Sequence, residues 1–307
     1  MRNADGRWAL ALHGGAGVEP GRSYARAERE LEKLILDGER RLAAGGPAID
    51  VVIDLVADME ASGLFVAGRG SGRNVLGEVE LDASVMDGAA RTCGAVAALQ
   101  GVRSAIHTAR TVMRRSDHVL LVGAGASRFA LDEGLDPIGD LDAWLTEPDG
   151  YDPADSAQTH GTVGAVALDQ DGRLAAATST GGVYNALPGR IGDTAVIGAG
   201  TWADDAVAVS CTGEGEAFIR ACAAHAVARA VAVGQTPQSA ADAVLAAVSE
   251  RGGDGGLVLV TAKGEVTMVF NTPGMKRASV SSTRAAAVCV DGALRPARRF
   301  TEERSTS

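Results

Sequence analysis

The feature that most constrains the fold of this chain is the run TVGAVALDQDGRLAAATST at residues 162–180. Two apolar segments of strand length flank the turn sequence DQDG, whose Asp-Gly step is a strong hairpin signal. If Leu168 pairs with Leu174, Thr162 lies opposite Thr180, and directly opposed Cβ atoms are about 5 Å apart. A two-residue Asp-Gly loop would instead shift this pairing by one residue. The run therefore predicts a buried hairpin with two threonine side chains at its open end.

A threonine hydroxyl at this place becomes a strong nucleophile only if a base lies beside it. The α-amine of a chain-terminal threonine is such a base, because its pKa is about 7.7 to 8.0. Thr162 acquires a free α-amine if the backbone is cut after Gly161, which has no Cβ and leaves its carbonyl group accessible. An N→O acyl shift and ester hydrolysis would then produce chains 1–161 and 162–307. On these two residues alone, a Gly-Thr pair that merely begins a buried strand is the more frequent situation.

Five runs of sequence together point to one family. They are LHGGAG, ELDASVMDG, HGTVGAVALDQDGRLAAATSTGG, GRIGD and TGEGE, in this order between residue 10 and about 275. They resemble the plant-type asparaginase and isoaspartyl peptidase family of N-terminal-nucleophile hydrolases. The resemblance implies an α+β fold, a four-layer αββα sandwich of two mostly antiparallel sheets, made as one precursor domain over residues 1–307. Strand hairpins that alternate with helix pairs along the chain indicate the same layers.

The same resemblance implies an amidohydrolase that releases L-aspartate from L-asparagine and from β-aspartyl dipeptides. It assigns Thr162 as the nucleophile, with its own amine as base, and Thr180 as the group that orients it. Thr212 and the N–H of Gly213 would hold the oxyanion. The loop that begins at His13 would support the nucleophile region, without a catalytic role for His13 itself.

Arg190 and Asp193 are candidates for substrate binding. A free amino acid end needs a guanidinium for its α-carboxylate and a carboxylate for its α-ammonium. The alternative is an ordinary surface salt bridge, which contributes little. The resemblance favours substrate recognition and adds Gly215 as a residue that lines the pocket.

The chain departs from the family pattern at three positions. The run LFVAG has Val66 where the family usually has asparagine, and valine neither donates nor accepts a hydrogen bond. A hydrolase for glycosylated asparagine or another amide is therefore the alternative within the enzyme class. Cys211 and Glu214 replace a threonine and a histidine, at positions that carry none of the chemistry assigned above.

Three further expectations concern the surroundings of the site. The segment 59–73 reads as a loop, which in the family holds a structural sodium ion through backbone carbonyls, and we assign no ligands. Residues 134–160 are rich in Asp, Pro, Gly and Ser, which predicts a flexible linker that ends at the cleavage site. The resemblance also implies a homodimer of cleaved αβ protomers.

A function of another class is suggested by the run GAGAS after the strand predicted at 118–122. A strand, a glycine turn and a helix begin a dinucleotide site. Gly123 and Gly125 match that pattern, but Arg128 stands where the third glycine belongs, so a simple strand-to-helix connection is favoured.

Composition excludes several classes of protein. The chain of 307 residues is 46% apolar with a net charge of −10, and its short basic run at 295–299 reads as a solvated terminus, so nucleic acid is not an expected partner. It has no apolar run long enough for a transmembrane helix. Four cysteines without metal-type spacing indicate reduced thiols in a cytoplasm. The expected partner is a small amide or dipeptide, and no cofactor is expected for catalysis.

Overall fold

The computed structural model describes residues 6–152 and 161–298. His160, the second part of the predicted linker (153–160) and both chain ends lie outside the described residues. Within the described ranges the chain forms two β-sheets and eight α-helices.

The larger sheet has nine strands. They are β1 (Ala9–His13), β2 (Leu81–Asp87), β3 (Thr92–Leu99), β4 (Leu120–Val122), β5 (Thr162–Leu168), β6 (Leu174–Thr180), β11 (Arg277–Ser281), β12 (Arg284–Cys289) and β13 (Arg295–Pro296). Their spatial order is β13-β12-β11-β1-β5-β6-β2-β3-β4. Neighbouring strands are antiparallel except β3 and β4, which are parallel. The predicted hairpin, β5 and β6, therefore lies at the centre of the sheet.

The smaller sheet has four antiparallel strands. They are β7 (Thr201–Ala203), β8 (Val207–Gly213), β9 (Gly255–Thr261) and β10 (Val266–Phe270). Strands β8 and β9 lie against β5 of the larger sheet, so the two sheets are stacked face to face.

Helices cover the outer faces of both sheets. They are α1 (Ala25–Ala43), α2 (Ala48–Ser62), α3 (Ala105–Arg115), α4 (Gly123–Asp132), α5 (Leu141–Trp144), α6 (Gly215–Ala221), α7 (Ala223–Ala232) and α8 (Pro237–Ser249). Helices α1 to α4 share one apolar core with the larger sheet, and α6 to α8 share another with the smaller sheet. A third core lies between the sheets. The predicted four-layer αββα sandwich is confirmed.

Both faces of the central hairpin are apolar, since one face is covered by helices and the other by the smaller sheet. Since side chains alternate along a strand, Val163 and Ala165 enter the core under the helices. Val166 and Leu168 enter the core between the sheets. This double burial explains why the strand segments 163–168 and 174–177 consist of apolar residues and glycine.

The predicted register of the hairpin is confirmed. Leu168 pairs with Leu174, and Thr162 pairs with Thr180. The carboxylate of Asp169 accepts the backbone N–H groups of two turn residues at 3.0 Å each, so the turn is longer than two residues and the one-residue shift does not occur.

The C-terminal half differs from the sequence prediction in its helices and in several short strands. Periodicity over 216–233 predicts one helix, but Cys222 has a left-handed φ of 46° and separates α6 from α7. Strands β11 and β12 were not predicted. They are short and rich in alanine and serine, which have low strand propensity, and their pairing beside β1 makes them strands.

The described part of the predicted linker, 134–152, contacts the rest of the chain. Trp144 in α5 is buried. The carboxylate of Asp149 accepts the backbone N–H groups of Arg26 and Ala27, both at 2.9 Å, at the first turn of α1. This part is therefore held against α1, and the linker stays a prediction for 153–160.

Candidate active site

The open end of the central hairpin places two threonines beside the predicted cleavage point. Thr162 and Thr180 are opposed across β5 and β6, and both are buried. The Thr180 hydroxyl donates a hydrogen bond of 3.3 Å to the carbonyl oxygen of Gly161, and the N–H of Gly182 donates to the Thr180 oxygen at 3.2 Å. Thr180 thus holds and polarises the carbonyl group that Thr162 would attack.

The glycine-rich loop after β1 packs against the same point. A Cβ atom on Gly15 would lie 3.0 Å from the Gly161 Cα and 3.3 Å from the Thr162 nitrogen. Gly15 has a φ of 100°, a conformation that favours glycine. The loop can therefore approach the cleavage point only because residue 15 lacks a side chain.

His13 supports Thr162 from behind. Its Nδ1 lies 3.1 Å from the Thr162 carbonyl oxygen, and its side chain is fully buried. Burial lowers the pKa of His13 to about 3, so the imidazole is neutral. Because a carbonyl oxygen can only accept, the proton is on Nδ1 and is donated to Thr162.

Val66 contacts the residue before the cleavage point. A Cβ atom on Gly161 would lie 2.6 Å from Val66 Cγ2. The carbonyl oxygen of Val66 accepts the N–H of Gly181 at 2.9 Å, next to Thr180. The departure from the family pattern therefore lies at the predicted cleavage point and leaves no space for a side chain at position 161.

Thr212 and Gly213, at the end of β8, face the same glycine-rich loop. The N–H of Ala16 donates to the Thr212 hydroxyl oxygen at 3.4 Å, which leaves the Thr212 proton to donate to another group. A cavity of about 350 Å³ is bordered by Ala16, Gly213 and Asp254. Burial raises the pKa of the neighbouring Cys211 thiol, which disfavours a thiolate there.

Arg190, Asp193 and Gly215 form a second cluster. A Cβ atom on Gly215 would lie 3.0 Å from the Asp193 nitrogen and 3.1 Å from Arg190 Nη2, so the glycine at the start of α6 allows this close approach. Asp193 is buried, and its Oδ2 atom has no hydrogen-bond partner among the described residues. Burial raises the pKa of Asp193 to about 7. An unpartnered buried carboxylate oxygen is suited to receive an ammonium group.

Sequence reasoning missed one residue of this cluster. Glu216 binds the Arg190 guanidinium through two hydrogen bonds of 2.9 and 2.7 Å, so Arg190 is not paired with Asp193 as a simple surface salt bridge. Glu216 stands inside the TGEGE run, which was the available signal.

Asp82, in ELDASVMDG, joins the two clusters. It pairs in register with Thr180 across β2 and β6. Its carboxylate accepts the N–H of Ala98 at 2.8 Å and is also bonded by the backbone of Gly192. Burial raises the pKa of Asp82 to about 6. The row Thr162, Thr180, Asp82 therefore leads from the cleavage point to the Arg190–Asp193 segment.

The segment expected to hold sodium is partly helical, because α2 continues to Ser62 and residues 68–70 form a short 3₁₀ turn. A Cβ atom on Gly68 would lie 2.5 Å from the Glu60 carbonyl oxygen, and one on Gly70 would lie 2.1 Å from the Phe65 carbonyl oxygen. The glycines thus let two carbonyl oxygens approach this turn closely, and backbone oxygens are ligands that suit a hard cation. The described residues contain no cluster of three His, Cys, Asp or Glu side chains placed to bind a metal ion.

The glycines of GAGAS open α4 directly after β4, as the simple strand-to-helix interpretation predicts. A Cβ atom on Gly123 or Gly125 would meet nothing within 4 Å, so no close approach requires either glycine. Across 6–152 and 161–298, no helix is both long and apolar enough to cross a bilayer.

Comparison with known proteins agrees with these motifs. The model of the family described as "Asparaginase" matches residues 6–148 and 140–290. An isoaspartyl peptidase of Salmonella typhimurium is 43% identical over 298 residues, which are 88% of this chain and 94% of the relative. An isoaspartyl peptidase of Escherichia coli is 41% identical, covering 89% and 92%. An isoaspartyl peptidase/L-asparaginase of Danio rerio is 38% identical, covering 88% and 91%. From the runs LHGGAG to TGEGE and the sandwich that assembles them, this chain belongs to the asparaginase family of isoaspartyl peptidases and L-asparaginases.

Proposed function

We propose that this chain is an amidohydrolase whose nucleophile, Thr162, is exposed as a chain terminus by self-cleavage after Gly161. The observation that carries the proposal is the hydrogen bond from the Thr180 hydroxyl to the Gly161 carbonyl oxygen. It activates the bond on the N-terminal side of Thr162 and leaves the Thr162 hydroxyl adjacent to it.

Self-cleavage begins with attack of the Thr162 oxygen on the carbonyl carbon of Gly161. The negative charge that develops on the Gly161 oxygen is stabilised by Thr180. The C–N bond breaks, the Thr162 nitrogen takes up the proton lost by the hydroxyl, and an ester remains. Water then hydrolyses this ester, which frees the carboxylate of Gly161 and both the amine and the hydroxyl of Thr162.

Catalysis reuses the same hydroxyl. The free amine of Thr162 removes the proton from its oxygen, which attacks the amide carbon of the substrate. Thr212 and Gly213 stabilise the oxyanion, since the Thr212 hydroxyl accepts from Ala16 and keeps its own proton to donate. The amine returns its proton to the leaving ammonia or amino acid. Water, activated by the amine, then releases aspartate from the ester.

Arg190 and Asp193 would bind the aspartyl end. The Arg190 guanidinium, oriented by Glu216, would bind the α-carboxylate. The unpartnered Oδ2 of Asp193 would accept from the α-ammonium. Gly215 keeps the space between these groups open. The binding groups therefore recognise a free aspartyl end, whatever leaves from its side-chain amide.

The proposed substrates are L-asparagine and β-aspartyl dipeptides. Both bacterial relatives are named isoaspartyl peptidase, and the relative from Danio rerio is named isoaspartyl peptidase/L-asparaginase. These names and the carboxylate and guanidinium of the second cluster support the proposal.

Further parts of the proposal concern the surroundings of the site. A sodium ion would be bound by the carbonyl oxygens of Glu60 and Phe65, where it would stiffen the loop that carries Val66. The mature enzyme would be a homodimer of cleaved αβ protomers. A cytoplasmic location is supported by Cys93, Cys211, Cys222 and Cys289, which are all free thiols.

A denaturing gel together with a product assay tests the proposal. Purified protein should give two bands, for residues 1–161 and 162–307, and should release aspartate from asparagine and from β-Asp-Leu by mass spectrometry. Glycosylasparagine is included as a third substrate to test the alternative amidase. Full activity in an uncut chain, or no hydrolysis of any of the three, would refute the proposal.

A further inference from the structure

A chain of buried polar groups extends away from the nucleophile between the two sheets. Its members are His13, Ser210, Thr178, Thr201 and Ser84, and each is 0% exposed. We call this set the hydroxyl relay. The assigned steps of catalysis use none of its four hydroxyl groups.

The relay is built from two facing rows of residues. In the larger sheet, β-pairing aligns Ser84, Thr178, Gly164 and His13 in one row across β2, β6, β5 and β1. In the smaller sheet, Thr201 and Ser210 are paired across β7 and β8. The registers of both sheets therefore bring these side chains together.

Gly164 is the gap in the first row. A Cβ atom there would lie 2.1 Å from Ser210 Oγ and 2.3 Å from His13 Nε2. Both distances are shorter than any real contact between such atoms. Glycine at this position is therefore what allows His13 and Ser210 to meet.

The contacts of the relay are continuous and short. The distances are 2.8 Å from His13 Nε2 to Ser210 Oγ, 2.8 Å from Ser210 Oγ to Thr178 Oγ1, 2.6 Å from Thr178 Oγ1 to Thr201 Oγ1 and 2.7 Å from Thr201 Oγ1 to Ser84 Oγ. Both ends reach backbone carbonyl oxygens. His13 donates to that of Thr162 at 3.1 Å, and the Ser84 hydroxyl lies 2.6 Å from that of Thr194.

These ends belong to the two clusters of the candidate site. Thr162 is the proposed nucleophile. Thr194 follows Asp193, which the proposed function assigns to the substrate ammonium. The relay thus connects the backbone at the nucleophile to the backbone at the substrate-binding carboxylate.

Proton counting gives the relay a direction. Six contacts each need one proton, whereas a neutral imidazole and four hydroxyls supply five. Because the His13 proton is on Nδ1, Nε2 accepts from Ser210, which accepts from Thr178, which accepts from Thr201. Ser84 then has one proton for two acceptors, the Thr201 oxygen and the Thr194 carbonyl.

We propose that His13 and Ser84 are positioning residues that place Thr162 and the Asp193 segment, and that the relay couples the two placements through the direction of its hydroxyl groups. This inference rests on the proposed function for its kinetic consequences. Any change that turns the intermediate hydroxyls toward Ser84 commits the Ser84 proton to Thr194 and orders the Asp193 segment.

The test is a set of variants assayed with L-asparagine. Ser84→Ala removes the bond to Thr194 and should raise KM roughly threefold to tenfold, the factor for one neutral hydrogen bond, with kcat changed less. Ser210→Ala lets Thr178 donate toward Thr201, so KM should fall by up to about threefold, within the range of one hydrogen bond. Two variants of residue 178 form a matched pair. Thr178→Val removes the hydroxyl group, and Thr178→Ser removes only the methyl group.

The effect of Ser210→Ala on KM should persist with Thr178→Ser and vanish with Thr178→Val, because only a hydroxyl at 178 transmits it. A role in stability alone would lower the melting temperatures and leave KM unchanged. That result would overturn the proposal. So would an effect of Ser210→Ala on KM that is the same with threonine, serine or valine at position 178.

A second readout separates failure of the relay from failure of the proposed function. The ¹⁵N chemical shift of His13 Nε2 reports the hydrogen bond that it accepts, whether or not the protein hydrolyses asparagine. Ser84→Ala should change this shift in the wild-type and Thr178→Ser backgrounds and leave it unchanged with Thr178→Val. An inactive wild type would refute the function alone, whereas a shift insensitive to Ser84→Ala would refute the relay.

Discussion

The two ends of the central hairpin face the same neighbouring sheet and are equally buried, but their chemistry is opposite. At the turn end, Val166, Leu168 and Ala176 pack against Val258 and Val260 of the smaller sheet. Their attraction is non-directional and depends mainly on the area that is removed from water.

At the site end the same strands carry threonine and glycine. Thr178 bonds Ser210 across the sheets, and Gly164 leaves room for that contact. A buried hydroxyl that loses its hydrogen-bond partner costs about 1–3 kcal/mol of stability. The polar atoms at this end are therefore restricted to the positions in which their hydrogen bonds form. One hairpin therefore combines an end that tolerates changes of shape with an end that does not.

The largest expected effect is that of Thr162→Ala at the site end. Without the hydroxyl there is no attack on the Gly161 carbonyl, so the chain should remain one full-length band and release no ammonia from asparagine. A denaturing gel and an ammonia assay measure both. Thr162→Ser keeps the hydroxyl and serves as the control, which should still be cut. Two bands from Thr162→Ala would contradict the mechanism.

Gly164→Ala should have the next largest effect. Its Cβ would displace Ser210 and His13, so overpacking of about 1–3 kcal/mol adds to the loss of buried hydrogen bonds. Urea unfolding should show the destabilisation, and the gel should show slower self-cleavage. An alanine variant with normal stability and a normal cleavage rate would refute the argument that glycine is needed there.

The pH dependence of KM should follow Asp193. Burial raises the pKa of Asp193 to about 7, so the carboxylate gains a proton as the pH falls below 7 and loses its charge for the substrate ammonium. KM for asparagine should then rise about tenfold per pH unit well below this pKa. Steady-state kinetics between pH 5 and 9 measure it, and Asp193→Asn should have a high KM without this dependence. A free α-amine has a pKa of about 7.7 to 8.0. We therefore expect protonation of the Thr162 amine to change kcat instead of KM.

The smallest effect is expected at the turn end. Val166→Ile adds one methylene group among apolar neighbours, which costs about 1–3 kcal/mol of overpacking but breaks no buried hydrogen bond. KM, kcat and the pH profile should match those of the wild type, while urea unfolding reports the destabilisation. A change in KM as large as that of Ser84→Ala would show that the two ends are not independent.

The hairpin could be predicted from the sequence because its information is local. An Asp-Gly step between apolar segments predicts the hairpin but leaves two registers, and the structure has the one that pairs Thr162 with Thr180. Side-chain alternation then sets the faces. Asp82 and Glu216 lie within recognised runs, but the sequence assigned them no role. The partner of Asp82, Gly192, is distant in sequence. The contact of Glu216 with Arg190 depends on how α6 packs against the Arg190 segment.

The C-terminal strands show a different limit. Residues of β11 have neither strong strand propensity nor a strong turn signal, and pairing with β1 makes them a strand. The break at Cys222 is similar, because helical periodicity continues across it while a left-handed backbone interrupts the helix.

The sequence by itself determined the hairpin, the layers and the candidate for the nucleophile, because turn chemistry, apolar periodicity and the family motifs are carried by neighbouring residues. The tertiary structure decided which groups surround that candidate, Thr162. Thr180 reaches Gly161, Val66 closes on it, and His13 meets Ser210 across 197 residues of chain. Such contacts depend on the stacking and register of two sheets. Hydrogen bonds require donor–acceptor distances that are correct to within a few tenths of an ångström, and no local sequence pattern encodes them.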